Sequence, residues 1–419
     1  MNRYEQRKDF GWNARSDDEQ CTPDIFMAAG FCNIGVITTE EGLVLVDVGL
    51  AGQVQERLMR LREKTSLPVH TIILTHGHLD HVGGIGAFIE EARENGYPRP
   101  RIIAHKNVAR RYDRYRMLSR YNIFINKIQH VSRAGYDAPP EGVQFMPKGS
   151  DVYPDITYSD SMQFRTGSLT FELYHYMGES DDGTWVWIPE RKIAIAGDVV
   201  ECACPNVGNP FKVQRYTREW AEDLENIAGK NPDFIIPGHG PLLKGDSARE
   251  VCLDTAKFMR HIHDEVVRLL NEGYWQEDIL HMVKIPEELL KKPWLQQVYG
   301  CATFIIHGVL RQYAGWYNGN PSDLFPARSQ DIAREMVHIS GSDNIIEHAR
   351  NIYREGNIQL ALNVLDFVVR GTDDTFKQKE ALLLKSELLD KRAKEELNQI
   401  ASNIFLVGAD MAEKEANSL

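Results

Sequence analysis

Thr75-His76-Gly77-His78-Leu79-Asp80-His81-Val82-Gly83-Gly84 is the stretch from which the rest of this chain is read. Three imidazoles and one carboxylate fall within six positions, His76 to His81. The stretch follows the run 69–74, which reads as a buried strand, and a glycine pair closes it. Imidazole nitrogen and carboxylate oxygen are the donors that zinc and similar borderline cations take. His76 and His78, two apart in an extended turn, can face one metal, and Asp80 and His81 are offset toward a second. A polar loop that happens to be rich in histidine would account for one such side chain, not for four.

Further turns repeat the pattern. Segments 35–39 and 43–47 read as a strand pair joined at Glu40-Glu41-Gly42, with Asp47 closing the second strand. Residues 162–174 read as two strands around Thr166-Gly167, followed by a polar turn from His175 to Gly183 that contains Glu179 and Asp182. Strand 193–196 ends in Gly197-Asp198, and strand 234–237 ends in Gly238-His239-Gly240. Each turn offers one possible ligand, which is what a metal site assembled from several loops requires. Segments 53–64 and 85–95 have helical period, and the short strand 102–104 ends in His105, read as structural. Segment 108–128 reads as one helix carrying Arg110, Arg111, Arg114, Arg116, Tyr112, Tyr115 and Tyr121. It is either a solvated basic face or a wall for an anionic substrate.

The chain has 419 residues, 42% hydrophobic and 26% charged, an ordinary globular composition with room for more than one domain. A net charge of −12 argues against nucleic acid as partner. No segment reaches membrane-spanning length, and Met1 to Ser16 is polar without an apolar h-region, which together predict a cytoplasmic protein with no membrane partner. Six scattered cysteines form no CxxC pair; Cys202 and Cys204 read as small buried filler. From about residue 247 the chain turns helical: 248–272, 280–284, 287–292, then 345–355, 358–369, 375–391 and 393–405, with breaks at Gly356-Asn357 and Gly371-Thr372. The tail holds too few hairpins for a solenoid, so a packing or dimerisation layer is expected.

His76-Gly77-His78-Leu79-Asp80-His81 resembles the H-x-H-x-D-H signature of the metallo-β-lactamase superfamily. The resemblance implies an α/β fold, an αβ/βα four-layer sandwich with a one- or two-metal site at one edge of its sheets. It also implies that Asp47 supports the histidine turn by hydrogen bonding. Within the superfamily the chain looks like the alkylsulfatases. Those use a glutamate where others have a histidine, and a second acid nineteen positions on; Glu179 and Asp198 have that separation. The family's second acid is a glutamate, so Asp198 is one methylene shorter. The similarity returns after Tyr299-Gly300, where Arg311 to Pro321 looks like the G-W-x-x-G-N-P segment that begins the alkylsulfatase dimerisation domain. It continues through Ala349, Gly356, Ala361, Ser402-Asn403 and Gly408-Ala409, and spans about residues 30–409. The sterol-carrier-like domain of the long alkylsulfatases is not seen before Leu419, which argues against long surfactant substrates.

The resemblance implies two domains, a catalytic one over 1–246 and an all-α dimerisation domain over 247–419. It implies two zinc ions, with iron or manganese as alternatives. His76, His78 and Glu179 would hold one; Asp80, His81 and His239 the other; Asp198 would be shared. Asp80, His81 and Asp198 then also carry the chemistry, a metal-bridging hydroxide attacking a small anionic sulfate ester. His175 and Asp182 flank the site and would orient ligands. Asn209 and Arg215 are the nearest candidates for holding the sulfate, and Tyr121, Tyr313, Trp316 and Tyr317 for lining the substrate pocket. A homodimer through the helical domain is expected. The alternative is another hydrolase of this fold, acting on a lactone, thioester or phosphoester. A diiron redox protein suits carboxylate-rich ligation, but would need a flavin domain that is not visible.

Overall fold

The computed structural model describes residues 17–131 and 139–419; Met1 to Ser16, read above as a polar start, lies outside the described residues. The first strands are β1 (Glu19–Thr22), β2 (Ile25–Ala28), β3 (Ile34–Thr39) and β4 (Gly42–Val46), an antiparallel meander. Gly42 closes the β3–β4 turn at φ 126°, a conformation open to glycine. Helix α1 (Val54–Lys64) crosses to β5 (Val69–Ile73), which pairs parallel with β4. The one-turn helix α2 (Leu79–Val82) and α3 (Ile85–Glu94) lead to β6 (Arg101–His105), also parallel. Both faces of β4 are buried, and it reads Gly-Leu-Val-Leu-Val without polar alternation.

The expected single helix over 108–128 is two, α4 (Asn107–Met117) and α5 (Ser119–His130). Leu118 between them leaves the helical region at φ −108°, ψ 28°, and caps Arg114. Strand β7 (Ile156–Tyr158) completes a seven-stranded sheet ordered β1 to β7. The second sheet is ordered β13-β12-β11-β10-β9-β8. Its strands are β8 (Ser161–Thr166), β9 (Leu169–Tyr176), β10 (Gly183–Ile188), β11 (Ile193–Glu201), β12 (Phe234–His239) and β13 (Leu243–Lys244), with α6 (Thr217–Gly229) between β11 and β12. β11 and β12 are parallel and the other neighbours antiparallel.

Ile37, Val44, Val46 and Ile73 of the first sheet interlock with Leu173, Val186, Ile195 and Ile236 of the second. The outer face of the first sheet packs Leu45, Ile72 and Ile102 under Leu61, Phe88 and Tyr112 of α1, α3 and α4. The outer face of the second packs Trp185, Ala194 and Ile235 under Trp220 and Leu224 of α6 and the long helix α7 (Asp246–Asn271). These are the four layers of an αβ/βα sandwich.

Described residues 17–119 and 142–315 form one compact unit; 120–131, 139–141 and 316–419 form the other. The units therefore divide the chain elsewhere than at 246/247. The reason is burial: α7, α8 (Gln276–Met282), α9 (Glu287–Leu290) and α10 (Ala302–Tyr313) share one apolar core with α6 through Phe258, Ile262, Ile279, Leu289 and Ile305. The other unit is helical: α5, α11 (Ser329–Ser340), α12 (Ser342–Arg354), α13 (Ile358–Gly371), α14 (Thr375–Glu395) and α15 (Gln399–Ser418). Asn357 caps α13 and Asp374 caps α14. The tail expected to restart at 393 instead restarts at Gln399, because the Asn398 side chain accepts from Ala401 N at 2.9 Å. No helix among the described residues is long and apolar enough to cross a membrane.

Candidate metal centre

Four strands bring their ligands together in the sandwich unit. β5 delivers His76, His78, Asp80 and His81; β9 delivers Glu179; Asp198 lies in β11; His239 ends β12. All seven expected ligands are brought together. His76, His78, Glu179 and Asp198 make one grouping, and Asp80, His81 and His239 another. In the first, His78 Nδ1 is 2.9 Å from Glu179 Oε2, and His76 Nε2 is 3.5 Å from Asp198 Oδ2. In the second, His81 Nε2 lies 3.2 Å from Asp198 Oδ1, and His239 Nε2 lies 3.3 Å from Asp80 Oδ2. Asp198 thus turns one oxygen to each grouping. Gly238 makes this approach possible, since a Cβ there would sit 2.0 Å from Asp198 Oδ1.

A network that avoids the ligand face fixes these side chains. Asp47, in the left-handed region at φ 65°, accepts from Thr75 N at 2.8 Å and Thr75 Oγ1 at 2.7 Å and lies 2.8 Å from His81 Nδ1. The Nδ1–H of His81 therefore points to Asp47 and its Nε2 to the cluster. The Cys32 thiol lies 3.2 Å from the same nitrogen. The Phe31 carbonyl accepts from His239 Nδ1. Asp182 accepts from Gly77 N, between the two leading histidines, at 3.0 Å, and from Arg111 Nε at 2.7 Å. Burial opposes ionisation of Asp182, but the Arg111 charge outweighs it and holds the carboxyl well below the usual range. His175 stacks flat on His105 with centroids 3.7 Å apart and its Nδ1 donates to Gly183 O at 2.9 Å, so it braces the β9–β10 turn.

The donor set fits metal ions. His81 Nε2, Glu179 Oε2 and Asp198 Oδ1 are buried and make no hydrogen bond. Such atoms are costly unless something else engages them. Burial, with the charges of His81 and His78, pushes His76 down to about 3, leaving the neutral imidazole that binds metal. His81 and His239 go the other way: burial works against their charge, yet Asp198 and Asp80 raise both. A raised value means that the metal-free protein holds the proton more tightly than a free imidazole does. Metal binding must then expel it, and affinity falls as pH falls. Zinc added to chelator-treated protein at pH 7 is expected to release about one proton or more per chain. Calorimetry in two buffers of different ionisation heat checks this; identical heats would contradict it.

The other expected residues divide. Arg215 is buried, not at the surface; its Nη1 donates to Glu179 Oε1 and, at 2.8 Å, to Asn206 O. Asn209 turns into its own loop, accepting from Phe211 N at 2.9 Å. Arg111, read as part of either a solvated basic face or an anionic-substrate wall, is the buried partner of Asp182 and Asp181. Tyr121, Trp316 and Tyr317 lie in the helical unit, and Tyr121 and Trp316 are exposed there. The Tyr313 hydroxyl lies 3.0 Å from His263 Nε2. Cys202 and Cys204 are buried in the apolar core. Sequence reasoning missed Asn206, whose buried Nδ2 makes no hydrogen bond, and Glu201. Burial, with the charges of Glu179 and Asp198, raises the Glu201 carboxyl well above the usual range.

A model of the Metallo-beta-lactamase superfamily matches residues 27–239, and one of Alkyl sulfatase dimerisation matches 276–415. A linear primary-alkylsulfatase of a Pseudomonas strain is 26% identical over 357 residues, 81% of this chain and 66% of its own length. Alkyl/aryl-sulfatase BDS1 of Saccharomyces cerevisiae is 22% identical, covering 93% of this chain and 62% of itself. The chain thus spans less than two thirds of the length of these relatives. The solved structure of Pisa1, a stereoselective inverting sec-alkylsulfatase from Pseudomonas sp., superposes with a TM-score of 0.80 over 96% of this chain at 20% identity, and so shares its fold.

Proposed function

The chain belongs to the metallo-beta-lactamase superfamily and carries an alkylsulfatase-type dimerisation region, and from that premise we propose that it is a metal-dependent hydrolase of sulfate esters. The observation that carries this reading is the split ligand set: two groupings of donors joined through the two oxygens of Asp198, with a glutamate, Glu179, in the first. Two divalent ions held there would polarise the ester and make a shared water acidic enough to attack at neutral pH. The chain's own residues do the rest. Arg215 keeps Glu179 ionised and aimed, and its remaining N–H groups form a fork suited to a tetrahedral oxyanion. Asn206, tied to Arg215 through its carbonyl, offers a buried amide donor beside it and replaces Asn209 in the expected role. Asp47 and Asp182 hold the histidine turn against reorganisation.

The match to Alkyl sulfatase dimerisation supports a homodimer through the helical unit. That unit exposes 90% of Phe325 and 76% of Trp316, surfaces suited to a second copy. Six free cysteines support a reducing, cytoplasmic setting. The reading is tested with zinc-loaded protein and a panel of alkyl sulfates, with lactones, thioesters and phosphate esters alongside. Sulfate release is expected, and its loss in His81→Ala. Turnover of another ester class without sulfate release would keep the hydrolase and overturn the substrate.

A further inference from the structure

The loop between β2 and β3, residues 29–33, grips the strand end that carries His239. Asn33 N donates to Gly238 O at 2.8 Å. The Asn33 side chain donates through Nδ2 to Pro237 O and Gly240 O, at 3.0 and 2.9 Å. Its Oδ1 accepts from Gly30 N at 3.4 Å. One buried residue thus holds the backbone on both sides of His239, with both amide hydrogens committed to it. Two positions earlier Phe31 O accepts from His239 Nδ1, which leaves Nε2 toward Asp80 and Asp198, 3.3 and 3.5 Å away. Between these two residues, Cys32 Sγ lies 3.2 Å from His81 Nδ1. The loop therefore meets both imidazoles of the Asp80, His81 and His239 grouping. It is itself clamped from α1: Cys32 O accepts from Arg57 Nη1 and Nη2, at 2.6 and 2.8 Å. Gly30 gives Arg57 room, since a Cβ there would lie 2.0 Å from its Nη1. The leading histidines are braced from another side, through Asp182 on Gly77 N.

Resting on the two-metal reading, we infer that Asn33 is a positioning residue for the metal of the Asp80, His81 and His239 grouping. It fixes the backbone of residues 237–240, so that the His239 imidazole presents Nε2 to the ion without a search. Removing its amide leaves Pro237 O and Gly240 O without this donor and frees the strand end to shift. A partner that orients a metal ligand is worth roughly 10–100-fold in metal affinity. The effect falls on one metal, because the other grouping is braced by Asp182.

The test titrates zinc into the chelator-stripped full chain against a competing chelator, which resolves two stepwise affinities. Asn33→Ala is expected to weaken one of them roughly 10–100-fold and to leave the other within about twofold. In a His239→Ala background, where that site is already lost, adding Asn33→Ala should leave the remaining affinity within about twofold. Arg57→Lys keeps the charge without the fork and loosens the same loop without touching residues 237–240. It is expected to weaken the same zinc by a smaller factor, and it serves should Asn33→Ala not fold. Equal weakening of both zincs, no change in either, or a further loss in the His239→Ala background would overturn the assignment of Asn33 alone. A wild-type chain that takes up a single zinc would instead remove the two-metal premise, and this assignment with it.

Discussion

Asp198→Ala is expected to lower kcat/KM by about a thousandfold or more and, in the proposed two-metal centre, to reduce bound metal toward one ion or none. The removed side chain is the only carboxylate among the described ligands that faces both groupings, with Oδ2 3.5 Å from His76 Nε2 and Oδ1 3.2 Å from His81 Nε2. Without it each grouping keeps three donors and loses the bridge that fixes their separation. Metal assistance is worth several kcal/mol of transition-state charge stabilisation, and about 4 kcal/mol corresponds to roughly a thousandfold in rate. Folding should survive because His81 and His239, whose protons Asp198 helps to hold, can become neutral once its charge is removed. Elemental analysis and steady-state kinetics on one preparation check both halves. Wild-type activity with one metal per chain would contradict the shared role of Asp198.

Arg111→Met is expected to destabilise the metal-free protein by about 3–5 kcal/mol at pH 7, as breaking one side of a buried ion pair does. Arg111 Nε and Asp182 Oδ2 are 2.7 Å apart, both buried, and Asp182 also carries Gly77 N. Removing the guanidinium strands a carboxylate against the backbone of the histidine turn. The pH sign follows from Asp182. Its carboxyl is held well below the ordinary aspartate value of about 3.8 in the folded wild type. The wild type therefore holds this stability above about pH 4 and loses it as pH falls further. In the variant, burial without the guanidinium raises the carboxyl, so acid neutralises the stranded group already above about pH 4, and the gap between the two proteins narrows as pH falls through that range and below. Urea denaturation at pH 7 and at acid pH measures it. Asp182→Asn combined with Arg111→Met should cost less than the sum of the single changes, since the pair acts as a unit. Metal affinity of Arg111→Met should fall roughly 10–100-fold, because the loosened turn lies between His76 and His78. A gap that does not change with pH would mean Arg111 acts by packing alone.

Much of the site was legible because its ligands are local and their chemistry is unusual. His76, His78, Asp80 and His81 sit in one turn, and Glu179, Asp198 and His239 each follow an apolar run next to glycine or polar residues. Asp47 was legible through the resemblance to the family and Asp182 through its place beside Glu179, and both hold the histidine turn by hydrogen bonds. What could not be read were contacts made through the backbone. Phe31 serves His239 through a carbonyl that every residue has, and Asn33 reads as a turn residue until its amide is seen on Pro237 O and Gly240 O. Arg57 reads as the polar face of α1, yet its guanidinium is buried on the Cys32 and Ala28 carbonyls. Arg215 and Glu179 are 36 positions apart, with no local pattern to link them. The same holds for the fold. β3, β4 and β5 follow directly from apolar runs, whereas α7 to α10 join the sandwich unit through a helix face that resembles any other amphipathic face.

The measurement that bears most directly on the central claim is sulfate release from a short alkyl sulfate as zinc is titrated into chelator-stripped protein. Activity should be absent without metal, rise with added zinc and level off near two equivalents per chain. A plateau near one equivalent, or turnover by the stripped protein, would contradict a two-metal centre built around Asp198.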